Sequence, residues 1–227
     1  MKEFKIDLHT HSWYSKDGVH PPSLILKSAC AKGLDAVAIT DHNTVQGLKE
    51  AKSSAHNVTF IRGIEVDSRE GHIIGLGIEK AIKPWLSAKE TVEQIKDEGG
   101  ITVIPHPFDY LRHGIGSRVK TLKADAIEIL NSRSNTPFSN FLARRAADSM
   151  DIQVTAGSDA HLAEDVGNAF IIIEEEQGLS AESILDRLAS RRRSRFRVVG
   201  KMTSLRSRVK KIAFANMMKK KRIAEQL

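Results

Sequence analysis

The chain has 227 residues, 41% hydrophobic and 28% charged, which suits one sizeable globular domain with at most a short appendage. A transmembrane helix is excluded because no run of about 18 apolar residues occurs. The opening MKEFKIDLHTHS lacks the apolar stretch of a secretory leader, and the single cysteine, Cys30, excludes an internal disulfide and an all-cysteine zinc site, so a reducing cytoplasm is expected.

In chain order, short apolar runs alternate with helical patterns. Strands are predicted at 4–9 (FKIDLH), 35–40 (DAVAIT), 58–64 (VTFIRGI), 72–78 (HIIGLGI), 101–105 (ITVIP), 125–130 (DAIEIL), 152–156 (IQVTA) and 169–173 (AFIII). Helices are predicted at 22–32, 44–55, 87–98, 137–149 and 180–190. Ser87 three residues before Glu90 reads as a capping box, and Gly33 and Gly99 follow helical patterns where a left-handed residue is wanted. Strand–helix alternation argues for parallel βαβ units closing into a barrel over residues 1–190. Residues 191–227 form a basic extension, with a helix expected over 203–224. Leu205, Val209, Ile212, Ala213 and Met217 recur there at helical spacing and predict an apolar stripe that docks on the domain.

Charge follows this division. The net charge is +7, but residues 191–227 hold 14 Lys and Arg against Glu225 alone, which makes the extension +13 and the body −6. A basic segment on an acidic body suggests a polyanionic partner, short RNA or DNA included; the plainer reading is a solvated helix.

The histidines and acids carry the chemistry. His9 and His11 sit in D-L-H-T-H, where alternate strand residues share a face and two imidazoles can chelate one ion. Asp17 follows in S-K-D-G, His42 in T-D-H-N and Glu65 in G-I-E-V. His72 lies in E-G-H-I-I-G, His106 in I-P-H-P-F, and Asp159 and His161 in G-S-D-A-H. Most of these positions follow predicted strands, and strand C-terminal ends converge on one face of a barrel. Six histidines and three carboxylates therefore meet in one pocket, more donors than a single ion takes from protein. Several divalent ions there favour an anionic substrate.

The ordered set DLHTHSWYSKDG, AITDHNT, GIEV, GHIIGLGI, IPHPF and GSDAH resembles the PHP (polymerase and histidinol phosphatase) phosphoesterases, in particular the stand-alone nucleotide branch. The resemblance covers roughly residues 4–175. It implies a distorted (β/α)7 barrel holding two to three Mn2+, Zn2+ or Fe2+ ions. It implies that His9, His11, Glu65 and Asp159 bind the first ion and Asp17, His42 and His161 the second. Glu65 then bridges to a third that His72 and His106 complete. The reaction implied is attack of a metal-bound water, held by ligands that include Asp17, His42 and Glu65, on the phosphorus of a phosphorylated small molecule or nucleotide. Larger members of the branch carry a mid-barrel insertion; here Asp159 follows His106 by only 53 positions, so that insertion is short or absent.

Other residues have weaker claims. Asp7 and Asp41 are expected to accept the second N–H of ligating imidazoles. Arg118 and Arg133 are candidate phosphate binders, because a guanidinium fork matches two phosphate oxygens. Ser15 and Lys16 lie in the Asp17 loop, and Glu128 either orients a ligand or pairs with an arginine. His20, His56 and His113 read as ordinary loop histidines. The leading function is hydrolysis of nucleotide phosphomonoesters, such as nucleoside 3′,5′-bisphosphates, extending to 5′–3′ trimming of short RNA. Competing readings are a histidinol-phosphate phosphatase, an amidohydrolase, and a nucleic-acid-binding module on a metal-stabilised scaffold. No strand-end lysine suits the amidohydrolase reading.

Overall fold

A computed structural model describes residues 1–55, 57–176, 178–190, 193–194 and 196–224. His56 lies outside the described residues. The eight predicted strands are β1 (Lys2–Asp7), β2 (Ala36–Ile39), β3 (Thr59–Asp67), β4 (His72–Leu76), β5 (Ile101–Ile104), β6 (Ala126–Asn131), β7 (Gln153–Gly157) and β8 (Ala169–Glu175). The five predicted helices are α1 (Pro22–Ala31), α2 (Leu48–Ser54), α3 (Ala88–Asp97), α4 (Pro137–Met150) and α5 (Ala181–Ala189). Local chemistry sets their limits. The Ser87 hydroxyl accepts from Glu90 N–H while the Glu90 carboxylate accepts from Ser87 N–H, which closes the predicted capping box of α3.

The basic extension holds a ninth strand, β9 (Arg197–Gly200), before helix α6 (Leu205–Ala224). The helix falls where the spacing predicts it, over 203–224, and the strand before it has no counterpart in the predicted elements. Val198 packs against the core and draws RVVG into the sheet despite the surrounding charge.

All nine strands form one sheet in the order β7-β6-β5-β4-β3-β2-β1-β8-β9. β1, β2 and β3 run parallel, as do β5, β6 and β7. β4 is antiparallel to β3 and β5, and β8 to β1 and β9. Strand–helix alternation predicts purely parallel units, but the link from Glu65 to His72 is a hairpin, too short for the dozen or so residues of a parallel crossover. The reversal matters for the site. His72 opens β4 directly opposite Asp67 at the end of β3, so it sits at the mouth with the strand-end residues.

The sheet rolls into a nearly closed barrel. Past the ends of β1 and β7 the chain pairs with itself: Asp159 N–H donates to His9 O at 2.7 Å and His11 N–H to Ala160 O at 2.8 Å. Alternation sorts the side chains. Ile6, Leu8, Ala36, Ala38, Val103 and Ala156 share the interior cluster, whereas Val37 and Ile39 pack with Ile25 and Leu26 of α1 outside. Ile184 and Leu188 of α5 join the interior cluster, and α5 lies against the end opposite the mouth. β9, parallel to β1, then carries the chain back to the mouth, where α6 begins.

The docked face of α6 is mostly polar. Ser207 donates to the Asp165 carboxylate at 2.5 Å and is buried, while Arg208, Lys211 and Phe214 are half-buried. Leu205, Val209, Ile212 and Met217, expected to form the docking stripe, are exposed instead.

Candidate metal centre

All nine candidate ligands converge at the mouth. Glu65 is the hub. Its Oε2 lies 3.2 Å from Nε2 of both His9 and His11 and 3.4 Å from Nε2 of His42. Its Oε1 lies 2.9 Å from His72 Nδ1 and 3.2 Å from His106 Nε2. Asp159 Oδ1 stands 3.8 Å from His9 Nε2 and 3.5 Å from His11 Nε2, and Asp17 Oδ2 is 2.8 Å from His161 Nε2. Four overlapping groups bring three donor atoms within 4.8 Å of one another: His9–His11–Asp159, His9–Glu65–His106, His42–Glu65–His72 and His11–His42–His161. Glu65 and Asp159 are buried, and so are His9, His11, His106 and His161.

The hydrogen bonds behind the ligands fix where the protons are. His9 Nδ1 donates to Glu128 Oε1 at 3.0 Å, which leaves a bare lone pair on Nε2. The Ser15 hydroxyl donates to Asp41 Oδ1 at 3.0 Å, so it accepts from His11 Nδ1 at 3.2 Å and bares His11 Nε2. His161 Nδ1 donates to the Asp159 carbonyl at 2.9 Å and bares its Nε2 in turn. Three lone pairs thus face carboxylate oxygens and, for His9 and His11, each other across 3.1 Å. Lone pair against lone pair is repulsive unless a cation lies between them. Asp17 Oδ1 and Asp159 Oδ1 are also buried without a hydrogen-bond partner among the described residues. The donor set therefore fits divalent ions, and its overlapping groups describe a multinuclear site.

Electrostatics show that the acidic cluster calls for positive charge, which protons on the imidazoles supply where no metal ion is bound. Burial opposes charge on His9, yet Asp159, Glu65 and Glu128 outweigh it and hold its pKa well above the ordinary value. Burial likewise opposes ionisation of Glu65, but His72, His42 and His9 hold its carboxyl well below the usual range. Burial and the neighbouring His11 push His161 down to about 3, which keeps it the neutral imidazole that a ligand must be.

Some expected roles are corrected by the geometry. Asp7 touches no imidazole ring; it accepts the backbone N–H groups of His9, Ser158 and Gly167 at 3.3, 2.9 and 2.9 Å and thereby ties β1 to β7. Asp41 reaches His11 only through Ser15, and it also holds Ser12. Arg118 is exposed on the Gly116–Thr121 turn, away from the residues lining the mouth. Arg133 does line it, with Lys16 and His113. His20 Nδ1 accepts from Ala163 N–H at 3.0 Å, an ordinary structural role.

Glu128 takes the first of its two expected roles. It binds His9 and also accepts from His106 N–H and Asn131 Nδ2, both at 2.9 Å. Its signal in the sequence is an acid at an inward position of the apolar run AIEIL. Three contributors escape the sequence reading. Asp67, two residues beyond Glu65 on the same strand face, lies 3.2 Å from His72 Nε2 and 3.4 Å from His42 Nδ1. Arg112 pairs with Asp159 at 2.5 Å, and Lys211 of α6 reaches Asp17 at 2.7 Å. Neither cation has a local sequence signal.

Comparison with known proteins places this arrangement. A family model described as PHP-associated matches residues 137–192. An uncharacterised protein of Methanocaldococcus jannaschii is 39% identical over 140 residues, which is 56% of this chain and 82% of that one. A two-domain Bacteroides vulgatus protein, described as containing a predicted PHP-like metal-dependent phosphoesterase, superposes with a TM-score of 0.70 at 18% identity, over 88% of this chain and 65% of that one. The chain belongs to the PHP family of metal-dependent phosphoesterases. Among PHP relatives with assigned activities, a 3′,5′-nucleoside bisphosphate phosphatase of Chromobacterium violaceum is 40% identical over 89 residues, 37% of this chain and 30% of its own length. A 5′-3′ exoribonuclease of Haemophilus influenzae is 30% identical over 119 residues, 46% of this chain and 43% of its own. The chain spans less than half the length of either. Among the described residues, no helix of this PHP protein is long and apolar enough to cross a membrane.

Proposed function

We propose that this PHP phosphoesterase hydrolyses phosphomonoesters of nucleotides, nucleoside bisphosphates first and the 5′ ends of short RNA second. The observation that carries the reading is the set of bared imidazole lone pairs facing carboxylates beneath a cationic mouth. Arg112, Arg133, Lys16 and Lys211 line a mouth cavity of about 280 Å³, near the small end of ligand sites, which suits a phosphoryl group with little else enclosed. The nucleotide assignment draws on the two relatives with assigned activities.

His9, His11 and Asp159 would hold one ion, and His42 and His161, with Asp17, a second. Glu65, with His72 and His106, would hold a third. Mn2+, Zn2+ and Fe2+ all suit this nitrogen and oxygen donor set. Such ions supply Lewis acidity towards phosphoryl oxygens and activate water. The chain's own work is to hold the ligands in order. Glu128 and Ser15 fix the tautomers of His9 and His11, and Asp41 fixes Ser15. Arg133 faces the incoming phosphate with two guanidinium nitrogens, Nε and Nη1, that have no hydrogen-bond partner among the described residues. Cytoplasmic residence fits the single cysteine.

Phosphate release by Mn2+-loaded protein tests the reading, with a nucleoside 3′,5′-bisphosphate, a 5′-phosphorylated RNA oligomer and histidinol phosphate as substrates. Turnover of a nucleotide substrate, abolished by His9→Ala, is expected. Turnover of histidinol phosphate alone would replace it with the amino-acid reading. Silence on all three with metal bound would refute it and favour the binding-module reading.

A further inference from the structure

Beside the mouth cavity lies a second lobe of about 410 Å³. The two share Asp17, Arg112, Arg133 and Lys211, so they are contiguous. The second lobe is closed by α6, which adds Arg208, Ile212 and Asn216 to its wall. Four cations therefore surround a space next to the metal centre, and α6 supplies two of them.

Their partners show which charges are spent. Arg112 is engaged by Asp159 at 2.5 Å and Lys211 by Asp17 at 2.7 Å. Arg133 and Arg208 make no ion pair among the described residues. Arg208 is instead held by neutral acceptors: its Nη2 donates to Ser134 O at 2.8 Å and its Nε to Thr203 O at 3.4 Å. These bonds aim the guanidinium without neutralising it. Arg133 Nε and Nη1 are buried with no hydrogen-bond partner among the described residues, a costly state unless an anion is part of the working complex. A phosphate accepts from two guanidinium forks at once.

We propose that α6 completes a second anion site, in which Arg208 joins Arg133, the guanidinium that lines both lobes, to hold a phosphate of the substrate other than the one hydrolysed. The proposal rests on the phosphoesterase reading for the scissile group and adds a selective feature to it. Compounds with a second phosphate near the scissile one are preferred over simple monophosphates. A nucleoside bisphosphate and the first internucleotide phosphate of an oligonucleotide offer the same chemistry. The extension, in this account, is a specificity element of the site and not a separate nucleic-acid arm.

Equilibrium binding of adenosine 3′,5′-bisphosphate, AMP and 5′-phosphorylated ApA to the full chain, without metal and with Mn2+, tests this. The wild type is expected to bind the bisphosphate about tenfold or more tightly than AMP, the scale of one charge-assisted contact. Arg208→Ala is expected to bring that ratio close to one. Arg208→Gln, which can still donate to the Ser134 carbonyl, carries the same expectation if the alanine variant fails to fold. Equal wild-type affinities for the two mononucleotides overturn the proposal, as does a preference that survives loss of the guanidinium. Comparing the dinucleotide with the bisphosphate separates the two sources of the second phosphate. Binding without metal does not depend on turnover. A wild type that releases no phosphate but keeps the Arg208-dependent ratio would refute the proposed reaction and uphold this site.

Discussion

At the scale of single residues, the ligands are governed by groups that stand behind them. Glu128 accepts from His9 Nδ1, His106 N–H and Asn131 Nδ2, so every contact uses an acceptor. Glu128→Gln puts an amide N–H where one acceptor is needed. Metal affinity is expected to fall by about 10- to 100-fold, read by competition against a chelating dye. Unchanged affinity would show that His9 needs no orienting partner. Gly157 marks how tightly β7 approaches the strand carrying His9. A Cβ there would lie 2.2 Å from His9 Cβ and 2.5 Å from Glu128 Oε1, so Gly157→Ala is expected to destabilise the fold by about 1–3 kcal/mol in urea titration. Asp7 gives a pH dependence. Burial raises its pKa from 3.8 to about 6 despite three backbone donors. The folded state therefore binds this proton more tightly than the unfolded one. The resulting stabilisation is complete below the unfolded value and lost as pH rises through about 6. Asp7→Asn, neutral throughout, is expected to flatten the stability profile of metal-free protein between about pH 4 and 6, by up to about 3 kcal/mol. Identical profiles for the two proteins would assign that slope to other groups.

At the scale of elements, hydrophobic periodicity made eight strands and five helices legible, and the positions following those strands made the nine ligands legible. What periodicity does not encode is direction. The run GIEVDSREGHIIG reads as two strands either way, and only the length of its link makes it a hairpin, which is why His72 joins the mouth from the start of its strand. Side-chain partners across the barrel were also hidden: Asp7 looks like a ligand's companion in D-L-H but spends its oxygens on backbone N–H groups of β7 and beyond. Lys211 was one of 14 basic residues in a charged run, and nothing local sets it apart. The helix that carries it is held mainly by polar contacts, with Phe214 half-buried near His20, while Leu205, Val209, Ile212 and Met217 are exposed. Few buried apolar contacts mean low local stability. Ser207→Ala removes the bond to Asp165 and is expected to speed tryptic cleavage after Lys210 and Lys211, with the urea midpoint of the barrel nearly unchanged. Cleavage as slow as in the parent would show that Arg208 and Lys211 alone hold α6.

At the scale of the whole molecule, the barrel is held at its mouth by a cluster that needs positive charge. Divalent ions bind only the folded arrangement, so Mn2+ at 100 times its dissociation constant is expected to add about 2.7 kcal/mol of stability, and chelation to remove it. Calorimetry with and without chelator measures this, and a thermal midpoint indifferent to metal would contradict the multinuclear site. The seam that closes the barrel joins residues 8–11 to 156–160, and the same residues supply His9, His11 and Asp159, with His161 next in the chain. Closure and site formation are therefore one event. During synthesis on the ribosome, the H-x-H pair emerges long before Asp159 and His161, and a nascent chain that has not yet exposed them lacks two of the four donor groups, His9–His11–Asp159 and His11–His42–His161. The complete set of ions is consequently expected to load only once the barrel has been translated and closed.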